Sequence, residues 1–91
     1  MTDAVTDARE AIDAIDRSLL TAVNRRLELV RTLHEHKRTT GMPLRDPARE
    51  EAMVGRLQGE NEGPLSDAGV AELVGFVLGL TRKELYGESQ A

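Results

Sequence analysis

The stretch AREAIDAIDRSLLTAVNRRLELVRTLHEHK, residues 8–37, contains neither glycine nor proline, and the same holds from Val5 to Thr39. Along it Val5, Ala8, Ile12, Ile15, Leu19 and Ala22 recur three and four apart, the period of one helical face. Asp3 or Thr6 can cap the start. Gly41 and Pro43 end it, with Lys37 and Arg38 in the last turn, where the helix dipole favours cations. The spacing predicts one helix over about 5–39, which at ~1.5 Å per residue is ~50 Å long. A compact ball of this chain length is only ~25 Å wide. So long a rod cannot bury its stripe against the remainder of its own chain, and the expected solution is an obligate homodimer.

Two shorter helices follow. A loop over 40–45 leads to Asp46-Pro47, an N-cap followed by proline at the first helical position, and opens a helix over about 46–58. Glu50 and Glu51 lie in its first turns, and Met53, Val54 and Leu57 are its apolar contribution. GENEGP, residues 59–64, is a polar turn. Ser66 caps a third helix over about 66–86, with Leu65 and Val70 at the spacing of a hydrophobic staple. Val70, Leu73, Val74, Val77, Leu78 and Leu85 form its expected stripe, and Gly75 and Gly79 are spaced for close helix approach.

The composition agrees with an all-α domain of three helices. The chain has 91 residues, 40% hydrophobic and 31% charged, which suits one soluble domain. Aromatics are only 2%, so the core is aliphatic. A net charge of −4 argues against nucleic-acid binding through the bulk field. The absence of cysteine excludes disulfides and thiolate chemistry. No apolar run approaches the ~18 residues of a membrane span. The acidic start MTDAVTDARE lacks the apolar segment of a signal peptide, so the expected location is cytoplasmic.

Against that negative background, the placement of cations points to a ligand. Four residues beyond Ala22 the seam reaches Arg26, then Leu29 and Leu33, so a guanidinium stands where a core leucine is expected. Lys37 follows eleven residues later on the same face, ~16 Å along the axis. Arg9 lies seventeen residues before Arg26, ~25 Å away and turned by about 100°, out of reach of a small ligand held by Arg26 and Lys37. In an antiparallel dimer Arg9 would complete the other subunit's site. The second helix adds Arg49, with Asp46 and Glu50. Arginine forks suit ligand carboxylates, and the acids suit a hydroxyl or amine on the same molecule. Each residue also has a plainer reading: Arg26 can snorkel from a helix edge, Lys37 can serve the helix terminus, Asp46 and Glu50 can act as cap and dipole residues. His34 and His36 read as solvated or core-edge residues, with nothing pairing them as a metal site.

The joint pattern resembles the all-helical class of chorismate mutases. It is carried by Arg9-Glu10-Ala11-Ile12-Asp13-Ala14-Ile15-Asp16, by Arg25-Arg26-Leu27-Glu28-Leu29, by Lys37, and by Arg45-Asp46-Pro47-Ala48-Arg49-Glu50. The resemblance covers about half the chain without a gap. It implies an intertwined helical homodimer that converts chorismate to prephenate by a [3,3] sigmatropic shift, in phenylalanine and tyrosine biosynthesis, with no cofactor and no metal. By position, Arg26 would bind one substrate carboxylate, Arg9 from the other subunit the region of the second, and Arg49 would assist. Lys37 would hydrogen-bond the ether oxygen whose bond breaks. Asp46, through its backbone, and Glu50 would contact the ring hydroxyl. On the third helix the family places a small hydroxyl residue and, four later, a Gln or Glu that also meets the ether oxygen. Thr81 takes the first position. Leu85 falls four later and cannot donate, while Glu84, one residue short, would need to be protonated, so that activity would fall as pH rises.

Relatives of this fold rearrange 4-amino-4-deoxychorismate or cleave isochorismate, and the pair Asp46 and Glu50 is where an ammonium would be told from a hydroxyl. A non-catalytic regulatory or dimerisation module of a shikimate-pathway enzyme is the alternative of another class. The retained Lys37 argues against it. Small members of the family are sometimes weak until a partner enzyme docks, so an activating partner joins the dicarboxylate substrate and the second subunit among the expected partners.

Overall fold

A computed structural model describes residues 3–41 and 46–87. It contains three helices: α1 (Ala4–Thr40), α2 (Pro47–Glu60) and α3 (Asp67–Tyr86). Pro43 and Arg45 lie outside the described residues.

Each helix is bounded by the chemistry of its ends. Asp3 caps α1, its carboxylate accepting from the Thr6 N–H at 2.7 Å. That bond holds the Asp3 carboxyl below its ordinary pKa. Gly41 ends α1 in the left-handed conformation at φ 77° and donates its N–H to the Lys37 carbonyl. Asp46 caps α2 by accepting from the Arg49 N–H at 3.1 Å, with Pro47 next. α2 runs two residues beyond the expected Gln58, taking in Gly59 and Glu60, because Asn61 supplies the C-cap. Asn61 then organises the turn: its side-chain amide donates to the Leu65 carbonyl at 2.7 Å and its side-chain oxygen accepts from the Gly63 N–H. Gln58 ties α2 to the start of α3 through the Asp67 carbonyl at 2.9 Å. Ser66 caps α3 by accepting from the Gly69 N–H, and Gly87, at φ 66°, closes it. Leu65 folds over Gly69 so closely that a Cβ there would lie 2.5 Å from Leu65 Cδ1.

α3 is the central element, packing on both α1 and α2. Its Val70, Val74, Gly79 and Thr81 are buried. The stripe is thus narrower than the spacing predicts. Leu73 remains 52% exposed, Phe76 nearby 65%, and Gly75 faces open space, so of the glycine pair only Gly79 is buried.

α1 behaves differently in its two halves. From Asp3 to Ala22 every residue is exposed. From Val23 onward a face forms at Val23, Arg26, Leu27, Val30, His34 and Lys37, all half-buried against the rest of the chain. The centre of that face is turned by only about 25° from the stripe Val5–Ile12–Ile15–Leu19, which stays uncovered, as does Leu29. The dimensions, 60 × 26 × 24 Å, and the radius of gyration, 16.7 Å, describe a rod projecting from a small body. A compact chain of this length would have a radius near 12 Å. Among the described residues, ten large apolar side chains stay between 44% and 65% exposed, eight of them from Val5 to Leu65, while only Val70 and Val74 make a buried apolar core.

Candidate active site

The end of α1, the start of α2 and the end of α3 enclose a cleft of about 360 Å³. It gathers Arg26 and Lys37 from α1, Asp46, Arg49 and Glu50 from the α2 start, and Thr81 from α3. Six of the residues expected from the sequence therefore meet in one place, although forty-four positions separate Lys37 from Thr81. Val30, Leu33, Met53 and Leu78 supply apolar wall. The volume suits a small molecule.

Arg26 is held in place rather than snorkelling. It is half-buried, and its Nη1 donates to Thr81 Oγ1 at 2.9 Å. Thr81, 7% exposed, in turn donates its hydroxyl to the Val77 carbonyl one turn back at 2.9 Å. A helix-internal anchor on α3 thus fixes a guanidinium on α1, leaving its remaining donors free.

The charge balance inverts that of the whole chain. Arg26, Lys37, Arg49 and Arg82 line the cleft against only Asp46 and Glu50. Among the described residues the one ion pair within 4 Å is Arg25–Glu28, on the exposed side of α1 at 3.2 Å. The cleft cations are not neutralised by the cleft acids. Like charges gathered without partners at a half-apolar surface are costly, and an anion entering between them removes that cost. Three His, Asp or Glu side chains placed to hold a metal ion are not found among the described residues.

Two of the expected site residues lie elsewhere. Arg9 is exposed on the free half of α1 and does not line this cleft. Glu84 is exposed too. It borders a second, more open depression with Arg31, Glu35, Arg38 and Leu85, which His34 and Tyr86 separate from the cleft by lining both. The reason is helical phase: a step of one residue turns a side chain by about 100°. From α3 the cleft is lined by Leu78, Thr81, Arg82 and Tyr86, and neither Glu84 nor Leu85 is among them.

Sequence spacing singles out neither Tyr86 nor its pairing with His34. The Tyr86 hydroxyl lies 2.9 Å from Nε2 of His34, and the two rings stack with centroids 5.0 Å apart. Burial, and then the neighbouring Lys37 and Arg38 charges, push the His34 pKa below its ordinary value, so the ring is neutral at neutral pH.

Residues 8–84 match the family described as chorismate mutase type II, and the chain belongs to that family. Among curated proteins it is 39% identical over 67 residues to a T-protein of Haemophilus influenzae, a stretch of 71% of this chain and 18% of that protein. It is 43% identical over 65 residues to the bifunctional chorismate mutase/prephenate dehydratase of Neisseria gonorrhoeae, covering 71% of this chain and 17% of that one. The chain thus spans less than a fifth of the length of these relatives. Among solved structures, the form II chorismate mutase of Thermus thermophilus superposes with a TM-score of 0.85 at 26% identity, over 97% of this chain and 100% of that one. The form I structure from the same organism gives 0.83 at 28% identity, over 87% and 99%.

Proposed function

We propose that this chain is a chorismate mutase that converts chorismate to prephenate as a homodimer in the cytoplasm. The observation that carries the reading is the cleft in which Arg26, Arg49 and Lys37 converge without an ion-pair partner among the described residues. Chorismate carries two carboxylates and an ether oxygen. Arg26, fixed by Thr81, and Arg49 clamp a carboxylate from two sides. Lys37 directs its ammonium at the ether oxygen. Asp46 and Glu50 border the space left for the ring hydroxyl.

The rearrangement needs no nucleophile and no proton transfer. The enzyme's work is to hold the compact reactive conformer and to stabilise negative charge growing on the ether oxygen. The second clamp is Arg9 from a second copy. The uncovered stripe Val5–Ile12–Ile15–Leu19 supports this, since full burial of each large side chain is worth ~1.5–3 kcal/mol. Arg26 and Lys37 share the angular range of that stripe and also belong to the face packed on α3, so a second rod laid on the stripe also roofs the cleft.

Mixing purified protein with chorismate and following the loss of chorismate absorbance tests the reading. Removal of one transition-state donor by Lys37→Ala is expected to lower kcat about 10²–10³-fold, or ~3–4 kcal/mol. Turnover undiminished in Lys37→Ala would overturn the mechanism. Turnover of 4-amino-4-deoxychorismate with none of chorismate would reassign the substrate.

A further inference from the structure

We propose that His34 is a positioning residue that donates its Nε2–H to Tyr86 and so leaves the Tyr86 hydroxyl proton to be donated into the cleft, beside Lys37. The inference rests on the proposed reaction for its consequence, but the proton assignment stands on the geometry around a neutral His34 ring.

The two atoms are 2.9 Å apart, and either could be the donor. The other ring nitrogen decides. Nδ1 of His34 is buried and has no hydrogen-bond partner among the described residues. A proton there would be a buried donor without an acceptor, which costs more than an unmet lone pair. The neutral ring therefore carries its proton on Nε2, where Tyr86 accepts it. A phenol that accepts at its oxygen has its own proton turned elsewhere, and Tyr86 lines the cleft. The stacking of the rings, 5.0 Å between centroids and 29° between planes, fixes the phenol so that this proton has a defined direction.

The arrangement gives the cleft a neutral donor from α3, where Glu84 does not reach and Leu85 has nothing to donate. A phenol keeps a proton to donate at neutral pH, which a carboxylate does not. With Lys37 it would present two donors of different charge to an oxygen that gains negative charge during the reaction. Unlike the ammonium, the phenol adds no net charge to a cleft that already holds four cations.

The test has two arms. Nitrogen NMR of the imidazole reports the tautomer without any substrate. The expected result is a protonated Nε2 and a bare Nδ1 at neutral pH, and the opposite tautomer overturns the proposal whatever the activity. Steady-state kinetics provide the second arm. Tyr86→Phe keeps the ring stack, and its kcat is expected to fall about tenfold or more with KM nearly unchanged. His34→Leu should reproduce that fall, the double variant should be no worse than Tyr86→Phe alone, and His34→Gln, which retains a side-chain donor, should recover most of the rate. Full activity in Tyr86→Phe, or additive losses in the double variant at unchanged melting temperature, would overturn the proposal. Absence of chorismate turnover in the unaltered protein would overturn the proposed function instead, leaving the tautomer to decide the proton assignment.

Discussion

Arg26 of α1 and Thr81 of α3, fifty-five positions apart, are joined by a 2.9 Å hydrogen bond that fixes a seam guanidinium at the cleft. The threonine is buried and its own proton is committed to the Val77 carbonyl, so the oxygen offered to Arg26 cannot rotate away. Preorganisation of this kind lowers the cost of ordering a long side chain when ligand arrives.

Thr81→Val should keep the volume and lose that acceptor. Its expected effect is a KM for chorismate raised about tenfold with a smaller change in kcat, and a stability loss of ~1 kcal/mol, the net value of one such hydrogen bond. Thr81→Ser should restore binding. Chorismate saturation curves for the three proteins check it, and an unaltered KM in Thr81→Val would show that Arg26 needs no anchor.

Glu84→Ala should leave the rate within about twofold, because the side chain borders the outer depression and not the cleft. By the same geometry, the fall of activity with rising pH that a protonated Glu84 would impose is not expected. A pH–rate profile of Glu84→Ala set beside the unaltered protein measures both. A large loss of kcat in this variant would restore Glu84 to the site.

Stability should depend on pH through His34. Burial and the nearby Lys37 and Arg38 hold its folded pKa below the ordinary value. The unfolded chain takes up a proton as pH falls through about 6.5, whereas the folded chain resists it until lower pH. This contribution is fully present above about pH 6.5 and is lost as pH falls towards the folded value. Urea midpoints at about pH 7.5 and about pH 5.5 should differ by less in His34→Gln than in the unaltered chain. An equal difference in both would place the titration at another group.

Much of this is legible in the sequence, for identifiable reasons. The glycine- and proline-free stretch and its three–four spacing predict α1, and Asp46-Pro47, Ser66 and Gly41 mark ends that the structure bears out in their cap hydrogen bonds. Arg26 betrays itself by standing in an apolar register. Glu84 stands one residue short of the position four beyond Thr81 and borders the outer depression, while Thr81 lines the cleft and gives its oxygen to Arg26. The stack of His34 on Tyr86 leaves no sequence trace, since contacts across fifty-two positions follow from how α3 crosses α1. Tyr86 being the single tyrosine of the chain, in the last turn of α3, is the one available hint.

In the proposed dimer Arg9 of one copy and Arg26 of the other serve the same cleft, and mixing two inactive variants measures that sharing. Arg9→Ala and Arg26→Ala are each expected to be nearly inactive alone. In a heterodimer of the two, one cleft collects both lesions and the other collects neither. After denaturation and refolding of an equimolar mixture, about a quarter of all clefts should be intact, and activity should return to about that fraction of the unaltered protein. A mixture as inactive as its components would contradict the shared site, and so would full activity of Arg9→Ala by itself.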